Sequence, residues 1–164
     1  MSGRNTRLIS GVANEPQTLE ERVKTLPTGA TTCTVEDHAN RLLLVAAAAA
    51  AVTVTLPRAT GSGDVYRVLN TVARTSGALT FKVSASTPTN LMNVMVKSMD
   101  STAVATDTSA WFMTNATQIA LNITTTGGLG GDYFEFVDGA AGTWYVRGET
   151  RCSGDKATPL TAAS

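Results

Sequence analysis

This chain has few of the residues on which most protein chemistry depends. It carries one histidine, His38, and two cysteines, Cys33 and Cys152, in 164 residues. An imidazole-based acid/base scheme or nucleophilic triad therefore has a single residue to centre on. A zinc site takes three or four ligands, and only Cys33 and His38 stand close in sequence, so no metal is expected. Two cysteines in a chain of this length do not make a disulfide framework, and both are read as reduced thiols. Charge is also scarce: 16% of residues are charged, 13 of each sign. Without clustered Lys and Arg there is little to neutralise phosphates, so no nucleic-acid partner is expected. Apolar runs are short as well. The longest, Leu42 to Val52, falls well below the roughly 20 residues that span a bilayer. Near the N-terminus, Leu8 to Ala13 is broken by Ser10 and Gly11 and is too short for the apolar core of a signal peptide. The expectation is a soluble protein with no membrane partner.

What is abundant is Thr, Ala, Gly and Val, a mixture that favours strands and tight loops over helices. A chain of this length holds one β-domain with an appendage, burying roughly 68–70% of its unfolded surface. Residues 1–30 differ from the rest, with Arg4, Arg7, Glu15, Glu20, Glu21, Arg22 and Lys24, two prolines and no aromatic residue. On the residues alone they read either as a disordered tail or as an N-terminal arm that orders when laid along a partner, with room for a helical turn or two over Thr18 to Leu26, where Thr18 and Glu21 have capping-box spacing.

From Thr31 the pattern is β. Thr31 to Val35 and Arg41 to Val45 read as strands around the polar turn Glu36 to Asn40. The six alanines Ala46 to Ala51 are too few for an isolated helix and read as tightly packed strand or as a turn between strands. Val52 to Leu56 alternates cleanly and stops at Pro57, and Val65 to Thr71 resumes the sheet. Further strands are expected at Ala78 to Val83, Leu91 to Lys97, Ala103 to Ala105, Ala110 to Thr114 and Gln118 to Ile123. Asp132 to Val137 and Thr143 to Arg147 flank a Gly-bearing loop and read as a hairpin, with Phe134 and Phe136 on one face and Tyr133, Glu135 and Val137 on the other. The expected fold is all-β, a single sandwich or barrel-like domain over 31–152, with an extended N-terminal arm (1–30) and a C-terminal tail (153–164).

The search for chemistry yields little. Glu36 and Asp37 are consecutive, and Asp132 and Asp138 sit at opposite ends of a strand, so neither makes a glycosidase pair. Gly127-Gly128-Leu129-Gly130-Gly131 enters a strand rather than a helix with Lys and Ser or Thr, which argues against a phosphate loop and for positive φ or close approach to another chain. No cofactor and no enzymatic activity are expected. Met92, Met95 and Met99 form a soft apolar cluster suited to core filling or to an adaptable contact. Trp111 and Phe112 are adjacent, so in a strand one of them leaves the core. Met95, Trp111, Phe112 and Leu129 are the candidate oligomer contacts.

Three segments, VTVTLPRATGSGDVYRV at 52–68, TTTGGLGGDYFEFVDGAAGTWYVRG at 124–148 and KATPL at 156–160, resemble the head decoration (cement) proteins of tailed bacteriophages. The likeness covers roughly Leu42 to Leu160; the alanine run and Leu160, where an aromatic would be expected, depart from it. It implies a small β-domain that trimerises on the outer capsid surface, at or near three-fold positions, with the major capsid protein and copies of itself as partners. It also implies synthesis in the cytoplasm of a bacterial host and an arm laid over the capsid protein. Arg4, Arg7, Leu8 and Ile9 are the candidate capsid contacts. A second class stays open: a tail, fibre or spike-associated adhesion module that binds glycans through exposed aromatics such as Trp111 or Tyr145.

Overall fold

The computed structural model describes residues 7–9, 12–14, 22–84, 90–102 and 107–163, the first two stretches by backbone pairing alone. β1 (Arg7–Ile9) and β2 (Val12–Asn14) pair antiparallel as a sheet of their own. All other strands belong to one nearly closed, barrel-like sheet.

The barrel begins as a coil of three chain passes. β3 (Val23–Leu26) turns into β4 (Gly29–Thr32), β5 (Arg41–Val45) into β6 (Val52–Leu56), and β7 (Val65–Asn70) into β8 (Leu79–Val83). The first strands of the passes lie parallel to one another, and so do the second strands. Parallel neighbours need a crossover connection. One is the segment carrying α1 (Val35–His38), whose N-cap Thr34 accepts from the Asp37 N–H; the other is the loop from Pro57 to Asp64.

β9 (Leu91–Asp100) and β10 (Thr108–Leu121) form a long hairpin, and β11 (Tyr133–Ala140) and β12 (Thr143–Cys152) another. β11 joins β7 and β12 joins β9, so the second hairpin stands between the coil and the first. The alternation read in the sequence is realised: Phe134, Phe136, Trp144 and Val146 point inward. The Phe81 ring lies 4.8 Å from that of Phe134 and 5.2 Å from that of Phe136, and Tyr66 meets Trp144 edge-on at 5.5 Å. Gly148, opposite Phe134 in register, makes room for its ring: a Cβ there would lie 2.4 Å from it.

The alanine run is a corner, the turn between β5 and β6 that was one of its two expected forms. Its carbonyls have partners other than helical N–H groups. The buried Arg74 side chain donates from Nη1 to Ala47 O (2.9 Å), from Nη2 to Ala50 O and from Nε to Gly77 O (3.0 Å). Ser76 Oγ donates to Ala49 O (2.7 Å) and the Thr75 N–H to Ala48 O (2.8 Å). Small side chains suit the corner because the next one packs onto it: Gly77, at φ 70°, would place a Cβ 2.5 Å from Ala51 N.

Several expectations need correction. The barrel starts at Val23, not Thr31, because Val23–Leu26 pairs with β5 and buries Leu26 in the core. The high charge of its surroundings masked this short edge strand. Of the helical turn expected over Thr18 to Leu26, Arg22 is helical but Val23–Leu26 is strand, and residues 18–21 lie outside the described residues. The polar turn Glu36 to Asn40 is mostly the capped helical turn α1, and the strand expected at Thr31 to Val35 ends at Thr32. The C-terminal tail also joins the sheet: β13 (Leu160–Ala162) pairs with β10 and buries Leu160. Two expected strands, Ala110 to Thr114 and Gln118 to Ile123, are one strand with a bulge at Asn115, whose φ is 61°. Ala103 to Ala105 lies outside the described residues.

Candidate functional site: the outward face of the large sheet

The side chains that alternate away from the core on β7, β11, β12, β9 and β10 line up in rows where the registers of neighbouring strands continue one another. One row is Arg67, Glu135, Arg147, Met95 and Phe112. The row below it is Val65, Val137, Tyr145 and Asn93. Arg67 Nε holds Glu135 Oε2 at 2.9 Å. The other end is apolar and exposed, with Phe112 at 71%, Tyr145 at 49% and Met95 at 40% accessible. Between them lies a groove of about 740 Å³ walled by Met95, Phe112, Val137, Tyr145 and Arg147. A second hollow of about 450 Å³ adjoins it past Tyr133 and Lys97.

Of the candidate contacts, Met95 and Phe112 meet on this face. Trp111, one residue away, turns inward and packs against the core. Leu129 lines neither hollow and sits in the glycine loop, where its carbonyl accepts from Asn70 Nδ2 at 2.9 Å. Arg4 lies outside the described residues. Arg7, Leu8 and Ile9 form β1, apart from the barrel sheet. Val137 and Arg147 were not singled out as site residues, although strand alternation had already placed Val137 on this face.

The titratable groups are committed to structure. His38, placed by the sequence in a polar turn, is buried at 6% accessible, and its Nδ1 accepts from the Thr34 N–H at 3.1 Å. Burial, and then the charge of Lys24, lower its pKa. Burial pushes the Cys33 thiol up to about 12, so it does not present a thiolate, and Cys33 and Cys152 are both free.

The two aspartates at the ends of β11 each hold a loop. Asp138 accepts from the Thr60 N–H at 2.9 Å and the Gly61 N–H at 2.7 Å, and from the hydroxyls of Thr60 and Ser62. Burial opposes its ionisation, but these donors outweigh burial and hold the carboxyl below its usual range. Asp132 accepts from the Gly128 N–H at 2.6 Å and the Arg151 N–H at 2.8 Å, gathering the glycine loop onto β12. Here burial prevails over the donors and raises the carboxyl to about 6. The glycine run has the expected positive φ at Gly127, Gly128 and Gly131.

Among the described residues no three His, Cys, Asp or Glu side chains gather where they would hold a metal, and no helix is long and apolar enough to cross a membrane. The fold and this face together define an all-β protein that exposes Phe112, Tyr145 and Met95 together on one broad sheet face. Comparison of the chain with protein-family models, curated proteins and solved structures found no match.

Proposed function

We propose that this chain is a decoration protein that binds the outer surface of a mature tailed-phage head and stabilises that lattice, acting through several copies of itself and through contacts with the major capsid protein. The observation that carries the reading is the outward face, where Phe112, Met95 and Tyr145 are exposed on a rigid sheet. A protein that works by adhesion presents apolar area to a partner, and patches of this kind mark interaction surfaces. The separate β1–β2 hairpin, which carries Arg7, Leu8 and Ile9, supports a second point of attachment. A binder selective for the mature lattice stabilises it by mass action, by about 2.7 kcal/mol per site at one hundred times its dissociation constant. Linking several such sites in one oligomer adds avidity.

The test is co-sedimentation of the full chain with mature, decoration-free heads. Saturation at a fixed number of copies per capsid subunit is expected. A variant lacking residues 1–21, which leaves every barrel strand intact, is expected to stay folded and lose most of this binding. The groove beside Tyr145, with Asn93, Glu135 and Arg147 in its walls, favours a second reading as a glycan-binding adhesion module of a tail or spike. Glycan-array binding by a folded protein that ignores capsids would establish that reading instead.

A further inference from the structure

β10 carries an unpaired edge. A strand residue has at most one ladder partner on each flank, and Ala116 pairs with both Met92 of β9 and Ala162 of β13. Gln118 likewise pairs with both Lys82 of β8 and Thr161 of β13, and Ile119 with both Phe81 and Leu160. β8 and β9 therefore lie end to end along one flank, and β13 occupies the other from Ala116 onward. Among the described residues, the second flank from Thr108 to Thr114 has no strand beside it, so its outward-pointing N–H and C=O groups are open, whereas the Asn115 carbonyl already accepts from the Ala163 N–H at 3.1 Å.

Such edges are usually blunted by Lys, Pro, a short length or an early bulge. This one has neither Lys nor Pro, and no charged side chain anywhere from Thr108 to Leu121. It runs from Thr108 to Thr114, seven residues, before the irregularity at Asn115. It also borders the most exposed aromatic of the chain, Phe112.

We infer that this edge is covered by the same edge of a second copy, the two β10 strands pairing antiparallel about a two-fold axis. Length and charge select this occupant. The free flanks of β3 and β4 are four residues each and that of β13 is three, and β3 carries Lys24. Those of β1 and β2 are three residues each, so among the described residues only β10 itself offers a matching length of uncharged edge, and antiparallel pairing of an uncharged strand with itself opposes no like charges. A two-fold interface is isologous, so an edge complementary to itself closes after two copies. Residues opposed across an antiparallel ladder share a face, so the register that buries Phe112 sets it against Phe112 of the second copy. Ala110 then opposes Thr114, and Trp111 opposes Met113. The two outward faces join into one sheet, with Met95 and Phe112 of each copy forming a continuous apolar strip. This inference does not depend on the capsid reading, and it replaces the three-fold assembly implied by the resemblance with a pair.

The test is light scattering coupled to gel filtration on the full chain, followed by two substitutions. A mass of twice 17.0 kDa is expected. A monomer at about 100 µM, far above typical dissociation constants for a stable pair, or a trimer, overturns the inference. Phe112→Glu is expected to keep the wild-type circular dichroism and to weaken dimerisation at least tenfold; an undiminished dimer overturns it. Phe112→Cys is expected to form a disulfide-linked dimer under mild oxidation, since residues directly opposed across a ladder have Cβ atoms about 4.5–5.5 Å apart. Tyr145→Cys, on the same face but two strands away, serves as the control and is expected to remain uncrosslinked. Equal crosslinking by the two variants overturns the assigned register and the edge contact with it.

Discussion

The corners of the barrel and its outward face treat side chains in opposite ways. At the corners and loops, Arg74, Asp132 and Asp138 are buried polar groups, each fixed by several hydrogen bonds to backbone. On the outward face, Phe112, Met95 and Tyr145 are apolar groups left in water. Burying a polar group is costly unless it is bonded, so the first set is explained by the fold it holds. The second set contributes little to that fold. Its exposure is better explained by contacts outside the monomer.

The comparison sharpens most at Arg74. Replacing it with Met keeps the bulk but leaves the carbonyls of Ala47, Ala50 and Gly77 without their donor. A loss of about 3 kcal/mol is expected for the three together, because an orphaned acceptor costs about 1–3 kcal/mol when buried, while here Ala47 and Ala50 are half-buried and Gly77 is exposed, and urea unfolding reads it directly. An unchanged midpoint would mean that the alanine corner is held by Thr75 and Ser76 alone.

Asp138 and Asp132 should differ in the sign of their pH dependence. Asp138 has a lowered pKa, so its contribution is present above the ordinary value of 3.8 and lost as pH falls through the lower folded value. Asp138→Ala is expected to cost about 2 kcal/mol near neutral pH, as for hydrogen bonds to a charged group, and much less in strong acid. Asp132 has a raised pKa, so its favourable contribution is complete below 3.8 and is lost as pH rises through about 6. Asp132→Asn also disturbs one of two N–H contacts, so the readout is slope rather than absolute stability. The variant should flatten the decline in unfolding free energy between roughly pH 4 and pH 6, an interval that follows from this linkage. Retention of the full wild-type slope would assign that decline to other groups.

The same division separates what could be read in the sequence from what could not. Strands whose apolar residues alternate, such as β6, β11 and β12, were legible because period-2 patterning reports burial on one face. The inward turn of Phe134 and Phe136 and the outward turn of Tyr145 followed from it. The alanine corner was left between two forms because its deciding partner, Arg74, is more than twenty residues further along the chain. β3 and β13 were missed because a strand of three or four residues has too little pattern to stand out from charged or small neighbours. Half of the candidate site was visible, since the adjacent aromatics Trp111 and Phe112 required one to face outward. The unpaired flank beside them was not, because free edges depend on which strands become neighbours.

The smallest expected change in intrinsic stability, and the one that best isolates the outward face, is at Phe112. With 71% of its surface accessible, Phe112→Ser should alter the stability of the monomer by no more than about 0.5 kcal/mol, as for surface positions generally. The same substitution at Trp111, which packs against the core, should cost several times more. If the chain is paired through β10, a further effect appears only in the wild type. Association stabilises the folded state by mass action, so the wild-type melting temperature should rise with protein concentration. Phe112→Ser should remove that rise while leaving the low-concentration melting temperature in place. A concentration-dependent melting temperature that survives the substitution would place the self-contact elsewhere on the molecule; a wild-type value that does not move with concentration would leave the exposed strip to a different partner.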